Sequence, residues 1–277
     1  MQLLDAVLLE RREIVPGRLL LTWEAPAIAI AAVPGQFVHV RMPEWTGMIL
    51  RRPFRIDGWD RAAGTISLDV RVTGRGTAWL AGVRPGETAG MLGPLGRGFE
   101  LDPRSRHLLC VAGGSGIAAL RALAVQTVTE GRQVTILLGA SSAAEVYPAS
   151  LLPDEVEYLV ATDDGSLGHH GPVTDLVPAY EAWADQAFAA GPQPMLATRH
   201  ARMGVARLGR KRGGPADPPG SPGARRKAWL QVAMEQTMGC AVGACLGCVV
   251  LGVAGPQRVC REGPVFAADE IAWGDEA

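Results

Sequence analysis

Lysine is almost missing from this chain of 277 residues: the only two, Lys211 and Lys227, fall in one short stretch. Charge of either sign is also missing in the balance, with a formal net charge of −1. That gives no support to a nucleic-acid or anionic-membrane partner. No apolar run approaches the roughly 20 residues that span a bilayer. No charged and then apolar leader opens the chain, so disulfide-forming secretion is not indicated. The expectation is a soluble cytoplasmic protein with reduced thiols. Glycine, by contrast, is plentiful at 35 residues, and with 48% hydrophobic residues this predicts tight turns and ligand loops rather than disorder. The length predicts two domains plus a small module.

Cysteine is scarce and concentrated. Four of the five fall at Cys240, Cys245, Cys248 and Cys260. The first three follow C-x4-C-x2-C and the fourth lies farther on, the plant-type 2Fe-2S pattern in which a tight loop wraps an iron pair. Gly239, Gly243 and Gly247 let the backbone curl and turn its amides toward an anionic cluster. Structural zinc takes two short knuckles, and only Cys245 and Cys248 form one. Disulfides remain a third reading. Cys110 lies in the apolar run 108–112 and is expected to be a buried strand residue.

Residues 1–102 carry short strands, such as 19–22, 36–41, 65–72 and 88–92, separated by Pro-Gly turns. This predicts a small antiparallel barrel. A helical turn is expected to start near Thr77 as its N-cap. From 103 the texture changes to buried strands at 107–112, 134–139 and 156–161 with a helix over 117–129, a doubly wound α/β domain reaching 228. Residues 229–277 form the cluster module. Within the second unit, 199–227 is atypical: nine of the 27 basic residues against one acid, with a Gly/Pro-rich core. It reads as a solvated insertion, as a nucleic-acid arm without the interleaved aromatics such arms use, or as a frame-shifted stretch that sequencing the source DNA would expose.

Several motifs bear on ligands. Arg51-Arg52-Pro53-Phe54-Arg55-Ile56 can present a guanidinium to a pyrophosphate. Arg71-Val72-Thr73-Gly74-Arg75-Gly76-Thr77 leads into a helix start whose free amides suit phosphate. Each also reads as an ordinary barrel segment or turn. Gly113-Gly114-Ser115-Gly116 stands between a buried strand and a helix, where a dinucleotide loop belongs. Asp163-Asp164-Gly165-Ser166 follows the third strand, as a ligand-edge element or a plain acidic turn. Gly191-Pro192-Gln193-Pro194-Met195-Leu196 reads only as a turn opening a helix.

Taken in order, these motifs resemble the ferredoxin-reductase superfamily. Met238-Gly239-Cys240, the loop through Cys248, Arg258-Val259-Cys260 and Gly263-Pro264-Val265-Phe266 resemble the electron transfer subunits of dihydroorotate dehydrogenase B. The resemblance covers nearly all of the chain outside 199–227. It implies a ferredoxin-reductase-like FAD barrel, a Rossmann-like NAD domain and a C-terminal 2Fe-2S module. FAD would be touched by Arg52, Pro53, Phe54 and Arg55, by Asp69, Val70 and Arg71, and by Gly76 and Thr77. NAD, as substrate, would lie on the α/β domain at Gly113, Gly114 and Gly116, and the four cysteines would ligate iron. The implied partner is an FMN-containing catalytic subunit, in a heterotetramer of two of each, serving de novo pyrimidine (UMP) synthesis. No catalytic acid or base is expected, because a flavin handles both one- and two-electron steps.

The chain departs from that pattern at Arg55, where the family usually has Ser, and at Ala190, where a Cys often precedes the Gly-Pro motif. It departs again after Leu196, where the basic run replaces a helix and strand. Alternatives are the small subunit of a ferredoxin:NADP or sulfide dehydrogenase reductase, and a zinc-holding regulator on a decayed reductase fold.

Overall fold

A computed structural model describes residues 1–198 and 228–273. The run 199–227 lies outside the described residues. Six strands close a barrel: β1 (Gln2–Val15), β2 (Arg18–Glu24), β3 (Phe37–Val40), β4 (Arg52–Asp60), β5 (Thr65–Arg71) and β6 (Thr88–Leu95), in the order β1-β2-β5-β4-β3-β6. All pairings are antiparallel. Closure removes the open edges that would otherwise invite association. Alternation divides inside from outside. Val38, Val40, Phe54 and Ile56 join Trp23, Leu21 and Leu68 in the barrel core, while the intervening Phe37, His39, Pro53 and Arg55 face outward. Helix α1 (Pro26–Ala31) opens on a proline, whose missing N–H is no loss in a first turn.

The second unit is a seven-stranded sheet with β7 (His107–Gly113), β8 (Gln133–Ala140), β9 (Glu157–Thr162), β10 (His169–His170), β11 (Gln186–Ala190), β12 (Leu230–Ala233) and β15 (Val265–Ala267). The order is β10-β9-β8-β7-β11-β12-β15. Every pairing is parallel except β12 with β15. In β7 the even residues Leu108, Cys110 and Ala112 pack under helix α3 (Ile117–Thr129), and Leu109 and Val111 pack on the opposite face. A strand covered on both faces must be apolar throughout, which accounts for the continuous run. Cys110 is fully buried there.

Strand β12 begins at Leu230 and lies in this sheet, and β15 returns from the cysteine segment to cap its edge. Between them sits the hairpin of β13 (Val249–Gly252) and β14 (Gly255–Arg258). Among the described residues, no helix is long and apolar enough to cross a membrane.

Candidate redox site

The cysteine loop holds its turns by left-handed residues: Ala241 and Leu246 at φ 58° and Gly243 at 83°. For alanine and leucine that conformation is unfavourable, so the loop is held by its surroundings. The amides of Ala244 and Cys245 donate to Cys240 Sγ at 3.3 and 3.4 Å, and the Cys260 amide donates to Cys248 Sγ at 3.4 Å. Burial works against the Cys240 thiolate, but donors from Val242, Cys245 and Ala244 outweigh it and bring the thiol down to about 6. Cys260 is pushed up to about 12, first by burial and then by Cys248 beside it. Cys245 is thus tied to Cys240, and Cys260 to Cys248, each by an amide-to-sulfur bond. Among the described residues, no three His, Cys, Asp or Glu side chains gather as ligands of one ion. Cys248 and Cys260 are buried, whereas Cys245 is exposed.

Arg258 ties the loop down. Its Nη1 donates to the Gly243 carbonyl at 2.9 Å, and Nε and Nη2 reach Glu262 at 2.9 and 2.5 Å. The Gly-Pro-Val-Phe tail locks the loop to the barrel. A Cβ on Gly96 would meet Pro264 Cδ at 2.4 Å, and one on Gly35 would meet Val265 Cγ2 at 2.8 Å. Arg97 donates its amide to the Gly263 carbonyl at 2.6 Å.

The barrel's outer face meets the carboxyl end of β12, the edge at which ligands bind in parallel sheets. Arg55 Nη2 donates to the carbonyls of Ala233 and Met234 at 3.2 and 3.4 Å and to Glu235 Oε1 at 3.3 Å. Arg55 Nη1 is buried with no partner, and so are both ring nitrogens of His39. Those three atoms are most of the four buried orphan side-chain nitrogens among the described residues. Burial, then the Arg51 charge, lowers His39 to about 4, so its ring is neutral. Unmet buried polar atoms of this kind are rare in a finished interior.

The two phosphate-suited segments meet. A Cβ on Gly76 would sit 3.5 Å from Arg52 Cγ and 3.6 Å from its Nε, at the start of helix α2 (Arg75–Gly82). The helix begins at Arg75, two residues before the expected N-cap at Thr77. The Thr77 hydroxyl instead accepts from the amides of Thr73 and Gly74 at 2.9 and 3.0 Å and so fixes the turn from inside. Phe54 and Val70 point into the barrel, leaving only their backbone to the outside. Asp69 is bound to Arg18 in a buried pair, with Nε at 2.8 Å from Oδ1. Arg71 reaches across to Glu145. A second buried pair joins the units: Asp57 on β4 and Arg121 on α3, at 2.9 Å.

In the α/β unit, Gly113-Gly114-Ser115-Gly116 packs against the 191–196 segment. A Cβ on Gly116 would lie 2.1 Å from the Ala190 carbonyl oxygen, and one on Gly113 would lie 2.8 Å from Met195 Sδ and Pro192 Cδ. Gly114 has φ 52° and open space where its Cβ would be. No side chain caps the amides opening α3. Residues 193–198 are helical, so the segment is a turn opening a helix, as its sequence reads, and it also forms one wall of this site. Its signal was Gly191, whose φ of 154° no larger residue adopts easily. The 163–166 turn is closed on itself: Asp164 Oδ1 accepts from the Ser166 amide and hydroxyl at 2.9 and 2.6 Å.

Residues 235–272 match the family model for the iron-sulfur cluster binding domain of dihydroorotate dehydrogenase B. The chain is 36% identical to the electron transfer subunit of dihydroorotate dehydrogenase B (NAD(+)) from Desulforamulus reducens, covering 97% of this chain and 98% of the relative. The Geobacillus thermodenitrificans subunit of the same name is 35% identical over 95% of this chain and 98% of its own. Among solved structures, an NADH-dependent reduced ferredoxin-NADP oxidoreductase aligns at TM-score 0.80 and 26% identity, covering 97% of this chain and 90% of that one. The ferredoxin NADP+ reductase of Neisseria gonorrhoeae aligns at TM-score 0.61 and 17% identity, over 78% of this chain and 95% of that one, and shares the fold. With relatives this similar over nearly its whole length, the chain belongs to the family of dihydroorotate dehydrogenase B (NAD(+)) electron transfer subunits.

Proposed function

We propose that this protein carries electrons between an FMN-containing dihydroorotate dehydrogenase subunit and NAD, through a 2Fe-2S cluster and FAD, in cytoplasmic pyrimidine synthesis. The observation that carries the reading is a loop of four cysteines in which amides of Ala244, Cys245 and Cys260 point at the sulfurs of Cys240 and Cys248. Two thiolates for each of two irons suit that arrangement. Cys240, Cys245, Cys248 and Cys260 are the ligands, and Arg258 holds their loop.

The cleft fits a flavin dinucleotide. Arg52 beside Gly76 and the amides of α2 suit its pyrophosphate. Pro53, Arg55 and the backbone of Phe54, Asp69 and Val70 line the outer face, with Arg71 and Thr77 at its margin. FAD, when bound, exchanges electrons singly or in pairs and so links a one-electron carrier to a hydride acceptor. Gly113, Gly114 and Gly116, with the uncapped start of α3, suit the phosphates of NAD. No side chain needs to act as acid or base. Exposed Val242 and Leu246, at 41% and 62%, flank exposed Cys245. They suit the docking face for the catalytic subunit, in an assembly of two of each. The units at 1–102, 103–228 and 229–277 hold FAD, NAD and the cluster, with β12 and β15 stitching the last to the second.

The likeness to the ferredoxin-NADP oxidoreductase over almost the whole chain favours one second reading, a reductase subunit serving ferredoxin. Anaerobically purified protein is expected to contain FAD, iron and acid-labile sulfide and to reduce a dye with NADH. Dihydroorotate-dependent reduction with the FMN subunit separates the two readings. A colourless, zinc-containing protein would contradict both.

A further inference from the structure

We propose that Asp57 and Arg121 are a positioning pair, which sets the α/β unit against the strand lining the flavin cleft so that hydride can pass from NADH to the flavin. The proposal rests on the flavin and NAD readings above and adds to them what fixes the two sites relative to each other.

Three features of the chain converge on this one contact. The first is a β-bulge on β4. Ile56 pairs with Leu68 and Gly58 with Ser67, so Asp57 is one residue too many in the ladder. Bulges re-aim side chains. This one puts two successive residues, Asp57 and Gly58, on the outer face, because Ser67 lies between the core residues Ile66 and Leu68. Asp57 Oδ2 then accepts from Arg121 Nη1 at 2.9 Å. The second feature is Gly58. A Cβ there would lie 2.7 Å from Arg121 Nη1, so the guanidinium takes the space that a side chain would fill. The third is the fork of Arg121. Nη1 also donates to the Asp57 carbonyl at 3.2 Å, and Nε donates to the Leu151 carbonyl at 2.8 Å.

The place of the pair gives it a task. Arg121 stands in α3, which opens straight after the 113–116 loop. Asp57 follows Phe54 and Arg55 on the strand that borders the flavin cleft. One guanidinium therefore ties the helix of the NAD loop to the strand of the flavin. Stability alone does not call for such a pair. Desolvating two charges can outweigh their attraction, and apolar side chains of similar volume often serve a fold as well. The barrel and the sheet do share an apolar core through Phe37 and Leu95, but apolar burial has no direction. A planar fork bonded to a carboxylate and two carbonyls does. Hydride transfer depends on direction and distance. Two electrons and one proton leave NADH together, giving NAD+ and FADH−, and a displacement of about 1 Å can slow such a step about a hundredfold. The cysteine loop is tied down elsewhere, by Arg258 and by Pro264 against Gly96, so exchange between flavin and cluster does not run through this joint.

The test uses the full chain loaded with FAD and cluster, followed by stopped-flow absorbance. A double variant, Asp57→Leu with Arg121→Met, replaces the pair by apolar side chains and leaves no charge stranded. Gly58→Ala removes no group but forces Arg121 Nη1 aside, and that atom ends a flexible side chain, so the fold can yield there. In both, flavin reduction by saturating NADH is expected to slow about tenfold or more. The long-wavelength charge-transfer absorbance of NAD+ stacked on reduced flavin should fade in parallel. Reduction of the same flavin by dihydroorotate through the FMN subunit should stay within about twofold of wild type. Reduction by NADH within about twofold of wild type in both variants would overturn the proposal. An equal loss along both routes would overturn it too, since that is general damage. If the double variant does not fold, Gly58→Ala decides by the same criteria. Wild-type protein that binds no FAD, or whose flavin NADH does not reduce, would instead overturn the readings beneath it.

Discussion

Cys245 is the exposed thiol of the four, and Gly239 and Gly247 lie beside it: a Cβ at either would touch its sulfur at 3.4 or 3.5 Å, an ordinary contact. Cys110 has the same chemistry in a different place, sealed inside β7. The two make a controlled pair. Cys245→Ser is expected to lose more than half of the bound iron and sulfide with little change in secondary structure. Cys110→Ala is expected to keep both and to lose about 1 kcal/mol of stability to a small cavity, as read by iron assay and denaturant unfolding. Gly116 is the residue with the least freedom. Gly116→Ala forces a Cβ against the Ala190 carbonyl and is expected to destabilise the α/β unit by about 1–3 kcal/mol. NADH binding should weaken with it, as measured by calorimetry.

At the scale of elements, the joints matter most. Asp57 on β4 is fully buried and paired with Arg121 on α3. Burial pushes the Asp57 carboxyl up to about 7 against the opposing pull of Arg121. Removing the partner by Arg121→Met strands a buried carboxylate, and a loss of about 3–5 kcal/mol is expected. The sign of its pH dependence follows. A carboxyl whose folded value lies above its unfolded value binds more protons when folded, so its contribution falls as pH rises from about 4 to about 7. The deficit of Arg121→Met should therefore be larger at pH 8 than at pH 5, as measured by thermal unfolding across that range. The Arg258 tie to the Gly243 carbonyl is expected to matter for the cluster rather than the fold. Arg258→Ala should release iron about tenfold faster to a chelator with Tm nearly unchanged.

The element scale also separates what sequence reveals from what it conceals. The alternation of β4 and the two-sided apolar run of β7 are local patterns, and the barrel and the α/β unit were legible from them. The cysteine spacing is local too. The pairing of β12 with β15 is not, nor is Arg55 reaching residues some 180 positions away. Those contacts are decided by tertiary packing, which no window of neighbouring residues contains. Thr77 was legible as a helix-start residue but sits inside the first turn, because its hydroxyl can also bond backward to Thr73 and Gly74. The turn and helix at 191–196 were legible, but not their packing against the 113–116 loop, which lies far back in the chain.

At the scale of the molecule, barrel, sheet and cysteine loop are interlocked rather than strung in series. Phe37 and Leu95 of the barrel share a core with Met238, Cys248 and Cys260, and β15 belongs to the sheet while leading out of the cluster loop. Cys248 and Cys260 are thus packed in one core with Phe37 on the outer face of β3. The central claim is that the chain connects an FMN subunit to NAD through those thiols. The direct measurement is dihydroorotate-dependent NADH formation by the anaerobically reconstituted complex. The account predicts steady formation with the wild-type chain and its near abolition with Cys245→Ser or when this chain is left out. Equal rates of NADH formation in all three mixtures would contradict it.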